Sequence, residues 1–103
     1  MIRVSVLYPN KPGTHFDMDY YCTKHIPWLQ GLLGKALLHV AVEEGIGGMA
    51  PGSAAPFLAL GHLTFESVEA FQKAFTPHLA QIREDVPKYT DSQPVIQVSN
   101  VKI

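Results

Sequence analysis

Two strand-length stretches, residues 57–65 and 95–103, are apolar on both faces that a pleated strand presents. Side chains alternate across a strand, so Phe57, Ala59, Leu63 and Phe65 oppose Leu58 and Leu60. In the same way Ile96 and Val98 oppose Val95, Val101 and Ile103. An open antiparallel sheet with helices on one face ordinarily turns polar residues to the other. A sheet with two apolar faces needs two covers. Its own helices supply one, and a second copy of the sheet is the simplest source of the other. Composition agrees, because 47% of the residues are hydrophobic while only 17% are charged, against about 25% in ordinary soluble domains. The expectation is a homodimer that buries sheet against sheet.

The 103 residues suffice for one core and one domain, spanning 1–103, with no room for a separate nucleotide-binding domain. A net charge of −1 lacks the basic footprint of a nucleic-acid binder. The single cysteine, Cys22, cannot close an intrachain disulfide. The first residues lack the continuous apolar run of a signal peptide, and no stretch is long enough to span a bilayer. The expectation is a cytoplasmic protein with no membrane or nucleic-acid partner.

Breakers and periodicity divide the chain. Residues 2–8 alternate as a strand, and Pro9 to Gly13 is a turn cluster. Asp17 is placed as a helix N-cap, and Phe16 and Tyr21 have the spacing of a hydrophobic staple. Met18, Tyr21, Cys22 and His25 follow on one helical face. Ile26, preceding Pro27, is biased out of the helical region, so the helix is expected to break or kink there and restart with Pro27 in its first turn. Trp28, Leu29, Leu32 and Leu33 continue the stripe to Gly34. Strands are expected over 37–44, 57–65 and 95–103. Ser67 caps a helix bearing Phe71 and Phe75, and Thr76-Pro77 opens a further segment with Leu79, Ile82 and Val86. The order β-α-β-β-α-β is the split-βαβ, ferredoxin-like plan of an α+β fold, with an antiparallel sheet and helices on one face. One cysteine cannot hold an iron–sulfur cluster, so the term describes topology only.

His25 is the leading candidate for chemistry. Its position puts it on the core-facing stripe, where an imidazole titrating near neutrality suits general acid–base catalysis. The competing reading is a structural histidine bonded to a carbonyl freed at Pro27. Tyr21 shares the His25 face, whereas Tyr20 points about 100° away. Asp17 fits a cap better than a catalyst. His62 and His39 lie on strands. If either faces the helices it can meet His25, and if not it belongs to an interface. His78 sits in a first helical turn, where it lines a cavity or packs. Tyr89 can cover a pocket, and Asp91 fits a turn.

Three other signals carry less. The five histidines show neither H-x-x-x-H nor H-x-H spacing, so no metal site is expected. Gly45-Ile46-Gly47-Gly48-Met49-Ala50 matches a dinucleotide fingerprint, but Pro51, Gly52 and Pro56 follow where a helix must begin. A flexible strand connection is expected, and no cofactor. Cys22 reads as a small buried hydrophobe, with His25 within reach as a base.

Together, Val4 to Pro9, Asp17-Met18-Asp19-Tyr20-Tyr21, Lys24-His25-Ile26-Pro27, Phe71 and Phe75, Pro77-His78, and Pro87-Lys88-Tyr89-Thr90-Asp91 before Pro94 resemble the EthD family of the dimeric α/β-barrel superfamily. The resemblance spans essentially the whole chain. It implies a ferredoxin-like protomer, dimerisation through sheets, and a cavity in each subunit for a small hydrophobic organic ligand. Members are associated with ethyl tert-butyl ether degradation and with small catabolic or polyketide chemistry, and many carry the label reductase. The related methylmuconolactone methylisomerase uses histidines in such a cavity. The implied function is a small catabolic enzyme, cofactor-independent and acting by isomerase, dehydratase or reductase-type proton transfer, with His25 and Tyr21 catalytic. Tyr8, His62, His78, Trp28 and Tyr89 are the expected ligand-binding residues. The alternative is a non-catalytic carrier assisting a partner oxygenase.

Overall fold

Alternation in the first strand sets the register of the sheet. In the computed structural model, which describes all 103 residues, strand β1 (Ile2–Pro9) turns Ile2, Val4 and Tyr8 into the core. It lies between β3 (Phe57–Phe65) and β4 (Val95–Asn100), with β2 (His39–Glu44) beyond β3. Every pairing is antiparallel, in the order β2-β3-β1-β4. Val4 opposes Leu63 on one side and Val98 on the other, so one face of β1 and β3 forms a continuous apolar floor. Burying each such Val, Leu or Phe contributes roughly 1.5–3 kcal/mol. This is the ferredoxin-like α+β plan.

The first helical region behaves differently from expectation. Asp17 does cap α1 (Met18–Tyr20), its carboxylate accepting from the Tyr20 N–H at 3.0 Å. The Phe16 and Tyr21 rings meet at 5.1 Å as the staple requires. The chain then passes through one π-helical turn, Tyr21–His25, into α2 (Ile26–Leu33) without a break. Ile26 is helical (φ −64°, ψ −47°) and donates its N–H five residues back to the Tyr21 carbonyl. The wide turn accommodates Pro27, which has no N–H to donate, and so removes the expected interruption. It also resets the helical phase. Tyr21 and His25 are buried, while Cys22 rotates out to solvent, contrary to its reading as a buried hydrophobe.

The second helical region follows expectation more closely. Ser67 caps α3 (Val68–Phe75), accepting from the Ala70 N–H at 3.1 Å. Phe71 packs on Phe65 and on Phe75, each pair 5.1 Å between ring centres. A short 3₁₀ turn, Thr76–His78, leads into α4 (Leu79–Asp85), and a second, Val86–Lys88, closes it. Residues between Gly45 and Pro56 form an irregular connection with no helix, as Pro51 and Pro56 require.

The uncovered face of the sheet is more mixed than the strand patterns suggested. Leu7 and Leu60 are paired there, beside Val95. Its middle is polar: Ser5 pairs with His62, whose ring is hydrogen-bonded to Ser5 Oγ (3.0 Å) and Glu43 Oε1 (3.2 Å). Val101 and Ile103 lie beyond β4 and do not contribute to the strand's faces.

Candidate functional site

Between the helices and the covered face of the sheet is a cavity of about 700 Å³. Val6, Gly61 and Leu63 form its floor, α2 supplies Ile26 and Leu29, and α4 supplies Leu79 and Ile82. The polar groups on this apolar wall are few. Tyr8, Tyr21, His25 and Tyr89 are buried within it, Arg83 stands in the last turn of α4, and Thr90, Asp91, Ser92 and Gln93 lie along the α4–β4 connection.

Tyr89 is the hub. Its ring centre is 4.9 Å from Tyr21, 4.7 Å from His25 and 5.9 Å from Tyr8. The Tyr8 and Tyr89 hydroxyls are hydrogen-bonded at 2.8 Å. Tyr89 is held in place by the chain around it: the Asp17 N–H donates to its carbonyl at 2.7 Å, and Phe16 pairs with Thr90. Burial drives the Tyr8, Tyr21 and Tyr89 phenols far above their ordinary range, so all three remain protonated. Two phenols sharing one hydrogen bond leave one O–H proton free to donate.

His25 stacks on Tyr21, with ring centres 5.4 Å apart and planes 14° from parallel. Its Nδ1 lies 2.7 Å from Oδ2 of Asp85, at the end of α4. The other carboxylate oxygen accepts from the Tyr20 hydroxyl and from Lys88 Nζ, each at 3.2 Å. Burial opposes ionisation of Asp85, but the hydrogen bonds from His25, Lys88 and Tyr20 together hold its pKa below the usual value. For His25 burial dominates, and it lowers the pKa despite the nearby carboxylate. The ring is therefore neutral near pH 7. An ionised carboxylate only accepts, so Nδ1 carries the proton and Nε2 presents a lone pair.

The sequence candidates separate accordingly. Tyr8, Tyr21, His25 and Tyr89 come together on the cavity wall. His62 does not join them, because its position in β3 puts it on the opposite face of the sheet. His39, two residues before Ala41 on β2, shares that outer face. His78 is half-buried in the Thr76–His78 turn and is not among the cavity residues. Trp28, with its ring centre 5.9 Å from that of His25, is not among the cavity residues and lines an outer hollow with Tyr20, Lys24 and Lys88. No group of three or more His, Cys, Asp or Glu side chains is disposed to hold a metal ion.

Two residues of the site escaped the sequence reading. Asp85 follows Ile82 by three positions and precedes Tyr89 by four, so a carboxylate stands on the buried stripe of α4. That misplaced charge was its signal. Gly61 is a glycine inside an apolar strand, a sign of close approach. A methyl group there would sit 2.5 Å from the Tyr21 hydroxyl.

The EthD domain model matches residues 14–93, a span that contains His25, Gly61, Asp85 and Tyr89. The chain belongs to the EthD family. An EthD-like protein from Ralstonia eutropha JMP134 is 39% identical over 99% of this chain and 92% of its own, with a TM-score of 0.95. An ethyl tert-butyl ether D (EthD) family protein from Bacillus halodurans C-125 shares the fold at 18% identity, covering 98% of each chain, with a TM-score of 0.72. HapK from Hahella chejuensis shares it at 9% identity, over 98% of this chain and 94% of its own, with a TM-score of 0.57. No curated protein matches the chain. No helix of this EthD-family protein is long and apolar enough to cross a membrane.

Proposed function

We propose that this EthD-family protein is a small catabolic enzyme that moves a proton on a largely hydrophobic organic molecule, using its own side chains. The observation that carries the reading is the His25–Asp85 pair at the wall of an apolar cavity. His25 Nε2 takes a proton from an acidified C–H or O–H of the substrate. Asp85 stabilises the imidazolium that forms and keeps the ring in one tautomer. The free hydroxyl proton of the Tyr8–Tyr89 pair and the Tyr21 phenol are donors for a substrate oxygen on which charge develops. Return of the proton to a different atom completes an isomerisation, and its delivery to a leaving hydroxyl completes loss of water.

The test is mass spectrometry of small molecules that co-purify with the native protein, followed by incubation of the recovered compound in D₂O. The wild type is expected to exchange or rearrange it, and His25→Gln to bind it without doing so. Binding by both proteins with no exchange by either would contradict catalysis and favour a carrier.

The same reading includes a homodimer through the uncovered sheet face. Leu7 and Leu60 there, with the exposed Val95, support it. A dimeric mass in sedimentation velocity at micromolar concentration is expected, and a monomer would overturn this part.

A further inference from the structure

The polar groups of the cavity are arranged in order of depth. Tyr8, Tyr21, His25 and Tyr89 are buried, and all four are neutral near pH 7 for the reasons given above. Arg83 is exposed and stands where the cavity opens to solvent. It is the only cation on the wall, and it makes neither an ion pair nor a side-chain hydrogen bond. No carboxylate forms an ion pair with it. Asp91 also lines the opening, where its Oδ1 accepts from the His15 backbone N–H at 2.8 Å, and it does not reach Arg83. Asp85 lies behind His25, outside the cavity lining, with its charge matched by Lys88.

We infer that the ligand of this cavity is a carboxylate-bearing hydrophobic molecule, with its carboxylate paired to Arg83 at the opening and its carbon body inside. This rests on the cavity being the binding site and adds the chemical class of what enters. A guanidinium presents two parallel N–H donors that match the two oxygens of a carboxylate. The apolar wall formed by Ile26, Leu29, Leu63 and Ile82 accepts the body. The orientation follows: the atoms farthest from the carboxylate lie against His25, so the proton is taken from the deep end of the molecule.

A matched pair of aromatic probes tests the assignment. Titration calorimetry compares 2-naphthoate with 2-naphthamide, which have similar shape and differ in charge. The wild type is expected to bind 2-naphthoate at least about tenfold more tightly at low salt, with the preference shrinking as salt is added. Arg83→Gln is expected to abolish the preference, chiefly by weakening 2-naphthoate, and Arg83→Lys to retain part of it. Equal affinity of the wild type for the two probes would overturn the carboxylate assignment and leave the cavity as a binding site. A preference that survives Arg83→Gln would overturn the role of Arg83. Failure of both probes to bind would overturn the inference together with the reading it rests on.

Discussion

His25 Nδ1 and Asp85 Oδ2 lie 2.7 Å apart although 60 residues separate them in the chain. The contact joins the π turn of the first helical region to the end of α4. It orients an imidazole that is already desolvated, and Tyr20 and Lys88 fix the carboxylate from the other side. An orienting carboxylate behind a neutral histidine is the arrangement that makes the opposite nitrogen an effective base.

This pair ties stability to pH. The His25 pKa is lower in the folded protein than its ordinary value of about 6.5. Below that value the unfolded chain therefore binds the proton more readily than the folded one, and stability falls as pH decreases. Asp85, also lowered, adds a second loss as pH falls below the ordinary carboxylate range towards its folded pKa. Melting temperatures between pH 8 and pH 4 are expected to decline from about 6.5 downward, and His25→Gln to flatten the upper part of that decline. A His25→Gln profile parallel to wild type would contradict the assignment.

Asp85→Asn is expected to lower the His25 pKa further, since the carboxylate is the influence that raises it. Lys88→Gln acts one step removed and is expected to raise the Asp85 pKa towards its ordinary value. Both shifts are read by NMR titration. An upward shift of His25 in Asp85→Asn would be incompatible with this electrostatic account.

The Tyr8–Tyr89 hydrogen bond is buried, so removing one hydroxyl strands the other. Tyr8→Phe and Tyr89→Phe are each expected to cost about 1–2 kcal/mol in urea unfolding. The double variant is expected to lose less than the sum of the two, because no unpaired hydroxyl remains. Strict additivity would show that the pair is not coupled.

Gly61→Ala is expected to destabilise by about 1–3 kcal/mol, since the new methyl meets the Tyr21 hydroxyl against a packed floor. Gly31→Ala, on the exposed side of α2 with nothing within 4 Å of the added carbon, is the control. It is expected to stabilise by about 0.5–1 kcal/mol. Similar effects at the two positions would contradict the close approach at Gly61.

Much of the fold was legible because it depends on local pattern. The 2–8 alternation, the Asp17 and Ser67 caps and the 57–65 strand all correspond to observed elements. The π turn was not legible. Pro27 predicts a break, and only the tertiary fit of Tyr21 and His25 against Tyr89 makes a wider turn the cheaper solution. At the site, helical spacing brought Tyr21 and His25 together. Strand parity alone could not tell which face His62 would take, because both faces of its strand carry apolar residues. Asp85 depends on a contact across 60 residues that no local pattern encodes.

A neutral His25 whose Nδ1 is committed to Asp85 has a distinct signature in nitrogen-detected NMR of the imidazole ring at pH 7. A protonated Nδ1 and an unprotonated Nε2 are expected; a ring protonated at Nε2, or at both nitrogens, would contradict the role assigned to His25.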